Sequence, residues 1–141
     1  MIYVGIDTGE HTGVAVWHSD EKRFISIATR PLWAALQDVL ALKATYGGVT
    51  VIFEDARQRK WLPRERSASE YRGKLMGAGA VKRDAKIWEE FLKDNEIPYM
   101  AIPPRVGLTK WSADNWARVT QWQGRTSEHA RDAALLVYGR Q

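Results

Sequence analysis

Two apolar runs in this chain each end on a carboxylate, and this pattern restricts the fold more than any other feature. Residues 2–6 are followed by Asp7, and residues 49–53 are followed by Glu54. Apolar runs of this length and composition predict strands that are buried on both faces of a sheet. An acidic group at the end of a buried strand is costly unless another charge compensates for it. We therefore expect two interior strands whose carboxylates lie at one edge of the sheet.

The order of elements predicts one α/β domain spanning residues 1–141. Residues 13–18 and 24–29 follow the first strand, so the first three strands form an antiparallel meander. A helix separates the third strand from the one at 49–54, and a strand–helix–strand crossover favours parallel pairing. A last short strand is predicted at 97–102. The expected fold is a mixed five-stranded sheet, with three antiparallel strands plus two parallel ones, and with helices on both faces.

Four helices are predicted from apolar spacing and from capping residues. One follows Pro31 and stops at Gly47-Gly48, and the others cover residues 78–94, 112–122 and 127–138. Ser112 is the expected N-cap of the third helix. The apolar positions expected to share a face are Leu32, Leu36, Val39 and Leu40 in the first helix and Val81, Ala85, Trp88 and Leu92 in the second.

Four side chains from separate parts of the chain are candidate metal ligands. Asp7 and Glu54 close the two buried strands, and His129 and Asp132 are three residues apart, on one face of the last helix. If the strands are neighbours and the helix packs over their ends, the four side chains converge. Carboxylate oxygens suit Mg²⁺, and an imidazole nitrogen adds tolerance for Mn²⁺. Two such ions about 4 Å apart can clamp a phosphate, so phosphodiester hydrolysis is the chemistry that this set favours.

Two further acidic residues leave the assignment open. Asp55 and Glu128 each adjoin a candidate ligand, and either could replace its neighbour. Glu54 could also pair with one of the arginines that follow it.

The composition excludes several other kinds of site. There is no cysteine, which excludes thiolate metal sites, disulfides and thiol nucleophiles. No apolar run approaches the roughly 20 residues that span a bilayer, and the N-terminus lacks the pattern of a signal peptide, so we expect a cytoplasmic protein without membrane contact. Tryptophans with strand or helix spacing are expected in the core or at an interface: Trp17, Trp33, Trp88, Trp116 and Trp122.

Positive charge is concentrated between residues 57 and 83. Most of this range falls in the stretch 55–76, which shows no sustained hydrophobic period. Nine basic residues face two acidic ones in the range 57–83, although the whole chain carries a net charge of +4. A cationic stretch around Trp61 suits backbone contact and base stacking, and Trp61 could wedge open a base step. A solvated loop with Trp61 packed on the domain explains the pattern equally well. The candidate DNA-binding residues are Arg57, Arg59, Lys60, Trp61, Arg64, Arg66, Arg72, Lys74, Lys82, Arg83 and Lys110.

The motifs at both ends of the chain resemble those of RuvC-type Holliday junction resolvases, bacterial or phage, within the RNase H-like superfamily. The sequence Val-Gly-Ile-Asp-Thr-Gly at 4–9, followed by Thr12-Gly13, is similar to the family's first strand, turn and second strand. Glu54 matches an acidic residue that ends a later strand of the family. His-Ala-Arg-Asp-Ala at 129–133 is similar to the family's last motif. The order of elements extends the resemblance over nearly the whole chain.

This resemblance implies an RNase H-like fold and a metal-dependent endonuclease. Asp7, Glu54, His129 and Asp132 would be catalytic and would bind two Mg²⁺ ions, with Mn²⁺ as a substitute. The protein would act as a homodimer that resolves four-way DNA junctions by paired symmetric nicks, leaving 5′-phosphate and 3′-hydroxyl ends. Lys110 would lie near the scissile phosphate, and the helix at about 77–94 would lie at or near the dimer interface. The setting would be the cytoplasm of a bacterial or phage-infected cell.

The sequence leaves other functions open. An RNase H-like nuclease could act on forks, flaps or RNA instead, and a related binding protein could hold branched nucleic acid without cutting it. Residues 7–9 with Gly13 also resemble the first phosphate loop of actin-like kinases. Those kinases need two such domains and an adenosine site, for which 141 residues leave no room.

Overall fold

The computed structural model describes residues 1–58, 68–104 and 111–141, and for residues 68–71, 73–75 and 78 it describes the backbone alone. Within these ranges the chain forms five strands and four α-helices, and one turn of 3-10 helix, Ala56–Gln58, follows the fourth strand. The elements are β1 (Ile2–Asp7), β2 (His11–His18), β3 (Arg23–Pro31), α1 (Leu32–Tyr46), β4 (Thr50–Glu54), α2 (Ala68–Asp94), β5 (Tyr99–Ile102), α3 (Ala113–Thr120) and α4 (Glu128–Val137).

The five strands form one mixed sheet in the order β3-β2-β1-β4-β5. The β1–β2 and β2–β3 pairs are antiparallel, whereas β4 pairs in parallel with β1 and with β5. The predicted fold class is therefore confirmed. Since β1 lies between β2 and β4, the strand that ends at Asp7 is in the interior of the sheet, as its uninterrupted apolar sequence predicts.

Alternation along the strands divides the core between two faces. Val4 and Phe53 point to one face and pack with side chains of α1 and of the C-terminal half of α2, where Trp88 is fully buried. Ala15 and Ile52 point to the other face and pack against α4. Because side chains alternate in a strand, Asp7 shares its face with Gly5, and Glu54 shares its face with Ile52. Both carboxylates thus lie on the side of the sheet that α4 covers.

Local signals explain where three of the helices begin or end. Gly47 follows α1 in the left-handed conformation, with φ of 75°, and its N–H donates to the carbonyl of Lys43, as in the predicted stop. Ser112 caps α3 by accepting a hydrogen bond from the Asn115 N–H, which confirms that prediction. Ser127 caps α4 in the same way with Ala130.

The second helix begins earlier than the apolar pattern predicts. We expected it at residue 78, but α2 starts at Ala68, within the stretch expected to be irregular. Val81 is 38% exposed, whereas Ala85, Trp88 and Leu92 are fully buried, so Ala85 is the first buried apolar residue among the described side chains of α2. The sequence from 68 to 77 has no sustained apolar period, and hydrophobic periodicity therefore does not detect this part of the helix. Leu40 of α1 is also exposed, contrary to expectation. Within the described ranges, no helix is long and apolar enough to cross a membrane.

Candidate metal centre

The carboxylates of Asp7 and Glu54 lie at the same level of the sheet. The parallel register pairs Ile6 of β1 with Phe53 of β4, and Asp7 and Glu54 are the next residue of each strand. Neighbouring strands are about 4.8 Å apart, so these two positions are adjacent. The expectation that the two strands are neighbours is therefore confirmed, and it depended on a pairing that the sequence does not state.

Two glycines bring α4 into direct contact with the sheet. A Cβ atom added to Gly5 would lie 2.1 Å from the carbonyl oxygen of Ala133, and one added to Gly13 would lie 2.0 Å from that of His129. The backbone of α4 thus rests on β1 and β2 with no side chain between them. The sequence analysis considered Gly5 and Gly13 only as parts of the first motif and predicted no contact for them. A glycine inside a strand signals a close backbone approach, and that signal could have identified their role.

This close docking brings His129 onto Asp7. Nδ1 of the imidazole lies 2.8 Å from Oδ2 of Asp7, across 122 residues of sequence. The His129 side chain is 54% exposed and that of Asp7 is 26% exposed, so the pair is open to solvent on one side. The structure thus joins the first and last motifs of the chain at one edge of the sheet.

The other two candidate ligands lie next to this pair by position in the fold. Asp132 is one helical turn after His129, and Glu54 ends the strand beside Asp7; both are half-buried. Three carboxylates and an imidazole are a donor set that fits Mg²⁺ or Mn²⁺. As the side chains stand, no three Asp, Glu or His residues in the described ranges are gathered closely enough to hold an ion. The structure therefore places the donors at one strand edge, and an ion would have to draw the side chains together.

Asp55, one of the two alternative ligands, is held by a different network. It is buried and accepts two hydrogen bonds from the Arg57 guanidinium, at 2.8 Å each, and one from the Arg57 backbone N–H. Arg57 also bonds Glu89 of α2 at 2.9 Å. The hydrogen bonds from Arg57 lower the pKa of the Asp55 carboxyl although burial opposes this, and they also lower the pKa of Glu89. Asp55 thus ties the end of β4 to α2. The other alternative, Glu128, is exposed in the first turn of α4.

The predicted DNA-binding residues fall into three groups. Arg57 is engaged by Asp55 and Glu89, which raises the pKa of its guanidinium, so a DNA contact would compete with that network. Arg72, Lys82 and Arg83 are exposed along α2. The remaining predictions lie outside the described residues or, for Lys74, outside the described side chains: Arg59, Lys60, Trp61, Arg64, Arg66, Lys74 and Lys110.

The tryptophans are mostly in the core, as expected. Trp17, Trp88 and Trp116 are buried, and Trp122 packs edge-on against Phe24. Trp33, in contrast, is 65% exposed at the start of α1, so it is not a core residue.

Comparison with solved structures identifies the fold. A structure described as T. thermophilus RuvC in complex with a Holliday junction substrate superposes with a TM-score of 0.57, covering 99% of this chain and 92% of that chain at 16% identity. A structure of Thermus thermophilus RuvC gives a TM-score of 0.56 with the same coverage at 17% identity. No protein-family model matches the sequence, and no curated protein is detectably similar to it. The fold is therefore that of RuvC, an RNase H-like arrangement.

Proposed function

We propose that this protein is a metal-dependent endonuclease that cuts branched DNA, with the four-way junction as its main substrate. One observation carries the proposal: Asp7 and His129, from the two ends of the chain, are in contact at 2.8 Å at the strand edge where Glu54 also ends. Acidic residues of like charge repel each other when they are brought together, so such a cluster favours a bound cation.

The proposed ligands are Asp7, Glu54, His129 and Asp132, which would hold two Mg²⁺ ions, with Mn²⁺ as a substitute. When bound, such ions activate water for attack on phosphorus and stabilise the leaving oxygen. The chain itself supplies the framework for these groups: two lie at the ends of interior strands, and two lie on a helix whose backbone rests directly on the sheet. The exposed side of His129 leaves room for a phosphate to approach.

The choice of branched DNA is supported by the fold and by charge. The similar structure holds a Holliday junction, and its fold extends over 99% of this chain. Exposed Arg72, Lys82 and Arg83 on α2 would contact the duplex arms, and the basic residues from Arg59 to Arg66 would add contacts to the DNA backbone.

We further propose a homodimer, with α2 at or near its interface, because a two-fold enzyme matches the symmetry of paired nicks that leave 5′-phosphate and 3′-hydroxyl ends. Its place of action would be the cytoplasm.

The decisive test is cleavage of a labelled four-way junction, a plain duplex and an RNA–DNA hybrid, with and without Mg²⁺. Symmetric nicks confined to the junction and dependent on Mg²⁺ would support the proposal. Asp7→Asn and Asp132→Asn should abolish cleavage, while junction binding and the circular dichroism spectrum stay as in the wild type. Cleavage mainly of the hybrid or of other branched DNA would instead favour an RNase H-like nuclease with another substrate. Binding without cleavage in both Mg²⁺ and Mn²⁺ would favour a junction-binding protein.

A further inference from the structure

The middle of α4 is docked through very small residues. Its buried side chains between positions 130 and 134 are Ala130, Ala133 and Ala134, and they face a sheet surface that includes Gly5 and Gly13. Larger buried side chains, Leu136 and Val137, come only at its C-terminal end. A contact between alanines and glycines allows close approach, but it offers few interlocking side chains that would resist rotation of the helix about its own axis. Other interactions must therefore set the rotation of α4 where His129 and Asp132 are carried.

Arg131 provides such an interaction. Its Nε donates to the carbonyl oxygen of Trp111 at 2.9 Å, and its Nη1 donates to the carbonyl and hydroxyl oxygens of Thr126 at 2.6 and 3.1 Å. One half-buried side chain thus ties α4 to two other segments: the residue before its N-cap and the chain that leads into α3. The guanidinium is a rigid planar fork, so it fixes direction as well as distance.

The position of Arg131 on the helix lets its hydrogen bonds set the positions of the proposed ligands His129 and Asp132. At about 100° per residue, His129 and Asp132 lie about 60° apart on one flank of α4, and Arg131 lies about 160° from His129 and about 100° from Asp132, on the other flank. A rotation of about 20° would move a side-chain tip at about 5–6 Å from the axis by roughly 2 Å. That displacement is as large as a whole Mg²⁺–oxygen distance, which is about 2.0–2.1 Å.

We propose that Arg131 is a positioning residue that makes the metal centre selective for Mg²⁺. The inference rests on the proposed function of that centre. Mg²⁺ requires near-ideal octahedral geometry, whereas the larger Mn²⁺ accepts more variable coordination and binds imidazole more readily. When the ties of Arg131 are lost, α4 can rotate and carry His129 and Asp132 away from Asp7. Mg²⁺ binding then suffers far more than Mn²⁺ binding.

The test compares Arg131→Lys and Arg131→Met with Arg125→Met, which changes an exposed arginine just before the same helix. Each protein is titrated with Mg²⁺ and separately with Mn²⁺, and the rise in unfolding temperature reports binding without any reference to activity. Removing a group that orients a ligand typically costs 10–100-fold in metal affinity. We expect the Mg²⁺ midpoint to rise at least about 10-fold in both Arg131 variants and the Mn²⁺ midpoint to rise less than about 3-fold, with no change in Arg125→Met. Junction cleavage by the Arg131 variants should recover in Mn²⁺.

Each other outcome has a definite meaning. Arg131 variants that are less stable but keep the wild-type ratio of Mg²⁺ to Mn²⁺ midpoints would show a purely structural role and would overturn the inference. If Arg131→Met does not fold, Arg131→Lys decides, because lysine keeps the charge but cannot span both carbonyl groups. A wild-type protein that neither ion stabilises, and that cuts no nucleic acid with either, would overturn the proposed function and this inference with it.

Discussion

The substitution Gly13→Ala tests whether the direct docking of α4 on the sheet positions the candidate metal centre. The new Cβ would lie 2.0 Å from the carbonyl oxygen of His129 and 2.6 Å from its carbonyl carbon, and contacts under 3.0 Å essentially never occur. Both obstructing atoms belong to backbone, so no side chain can rotate away. The helix must therefore move away from the sheet by about 1 Å or more at the residue that carries the imidazole.

Two effects of different size follow from this displacement. Overpacking of a core costs about 1–3 kcal/mol and occasionally more, and a clash between backbone atoms belongs at the upper end of that range. We therefore expect the free energy of unfolding to fall by about 3 kcal/mol. The bond between Nδ1 of His129 and Oδ2 of Asp7 would lengthen from 2.8 Å beyond hydrogen-bonding distance. Misplacement of a catalytic group by about 1 Å can lower the rate about 100-fold, and we expect a loss of that order in junction cleavage.

The assays are urea denaturation and Mg²⁺-dependent cleavage of a four-way junction, and Gly48→Ala is the matched control. An alanine Cβ at Gly48 meets no atom within 4 Å, and its φ is not in the left-handed region. We expect that variant to stay within about 0.5 kcal/mol of the wild type, as surface substitutions usually do, and to cleave normally. A Gly13→Ala protein with wild-type stability would refute the clash argument. One that is destabilised but cleaves at the wild-type rate would refute the link between helix docking and the site.

Two further predictions concern α2 and its ion pairs. Arg57→Met should lower the free energy of unfolding by about 3 kcal/mol at pH 7, because it leaves Asp55 buried without its cation. Since Arg57 lowers the folded-state pKa of Asp55 and Glu89, its stabilisation is complete only above about pH 5.5, where both carboxyls are ionised in the unfolded chain too, and it is lost as the pH falls through their folded pKa values. The difference in free energy of unfolding between wild type and variant, measured by denaturant titration, should therefore be smaller at pH 3 than at pH 7. An equal difference at both pH values would contradict the ion-pair account. Gly79→Ala places a methyl group in open space on α2 and should raise stability by about 0.5–1 kcal/mol in thermal unfolding. A decrease instead would indicate that another surface covers this part of α2.

Features that depend on nearby residues were predictable. The strand ends at Asp7 and Glu54, the N-cap of α3 at Ser112 and the stop of α1 at Gly47 all agree with expectation. Each is set by hydrogen bonding or conformational preference within about four residues, and such preferences are visible in sequence. The helical crossover before β4 predicted that this strand pairs in parallel, but the choice of β1 as its partner was not visible in the sequence.

The start of α2 was not predictable for a physical reason. Apolar periodicity reports only the part of a helix that packs on a core, and Ala85 is the first apolar residue of α2 that is buried among its described side chains. The sequence of its first turns, from Ala68, shows no sustained apolar period, and it includes Gly77 and Gly79, which have low helix propensity. Leu40 is the converse case, because it is apolar and has the spacing of the buried face of α1 but is 39% exposed.

By itself the sequence determined which chemical groups make up the candidate metal centre and which elements carry them. Only the tertiary structure decided that Asp55 forms an ion pair with Arg57, while Glu54 lies on the face of the sheet that α4 covers. Only the tertiary structure revealed that the backbone of α4 lies directly on Gly5 and Gly13. It also showed that Arg131 donates hydrogen bonds to the carbonyl oxygens of Trp111 and Thr126. Most of these contacts join residues that are far apart in the chain. Their geometry follows from how the helices settle on the sheet, and no pattern of neighbouring residues encodes it.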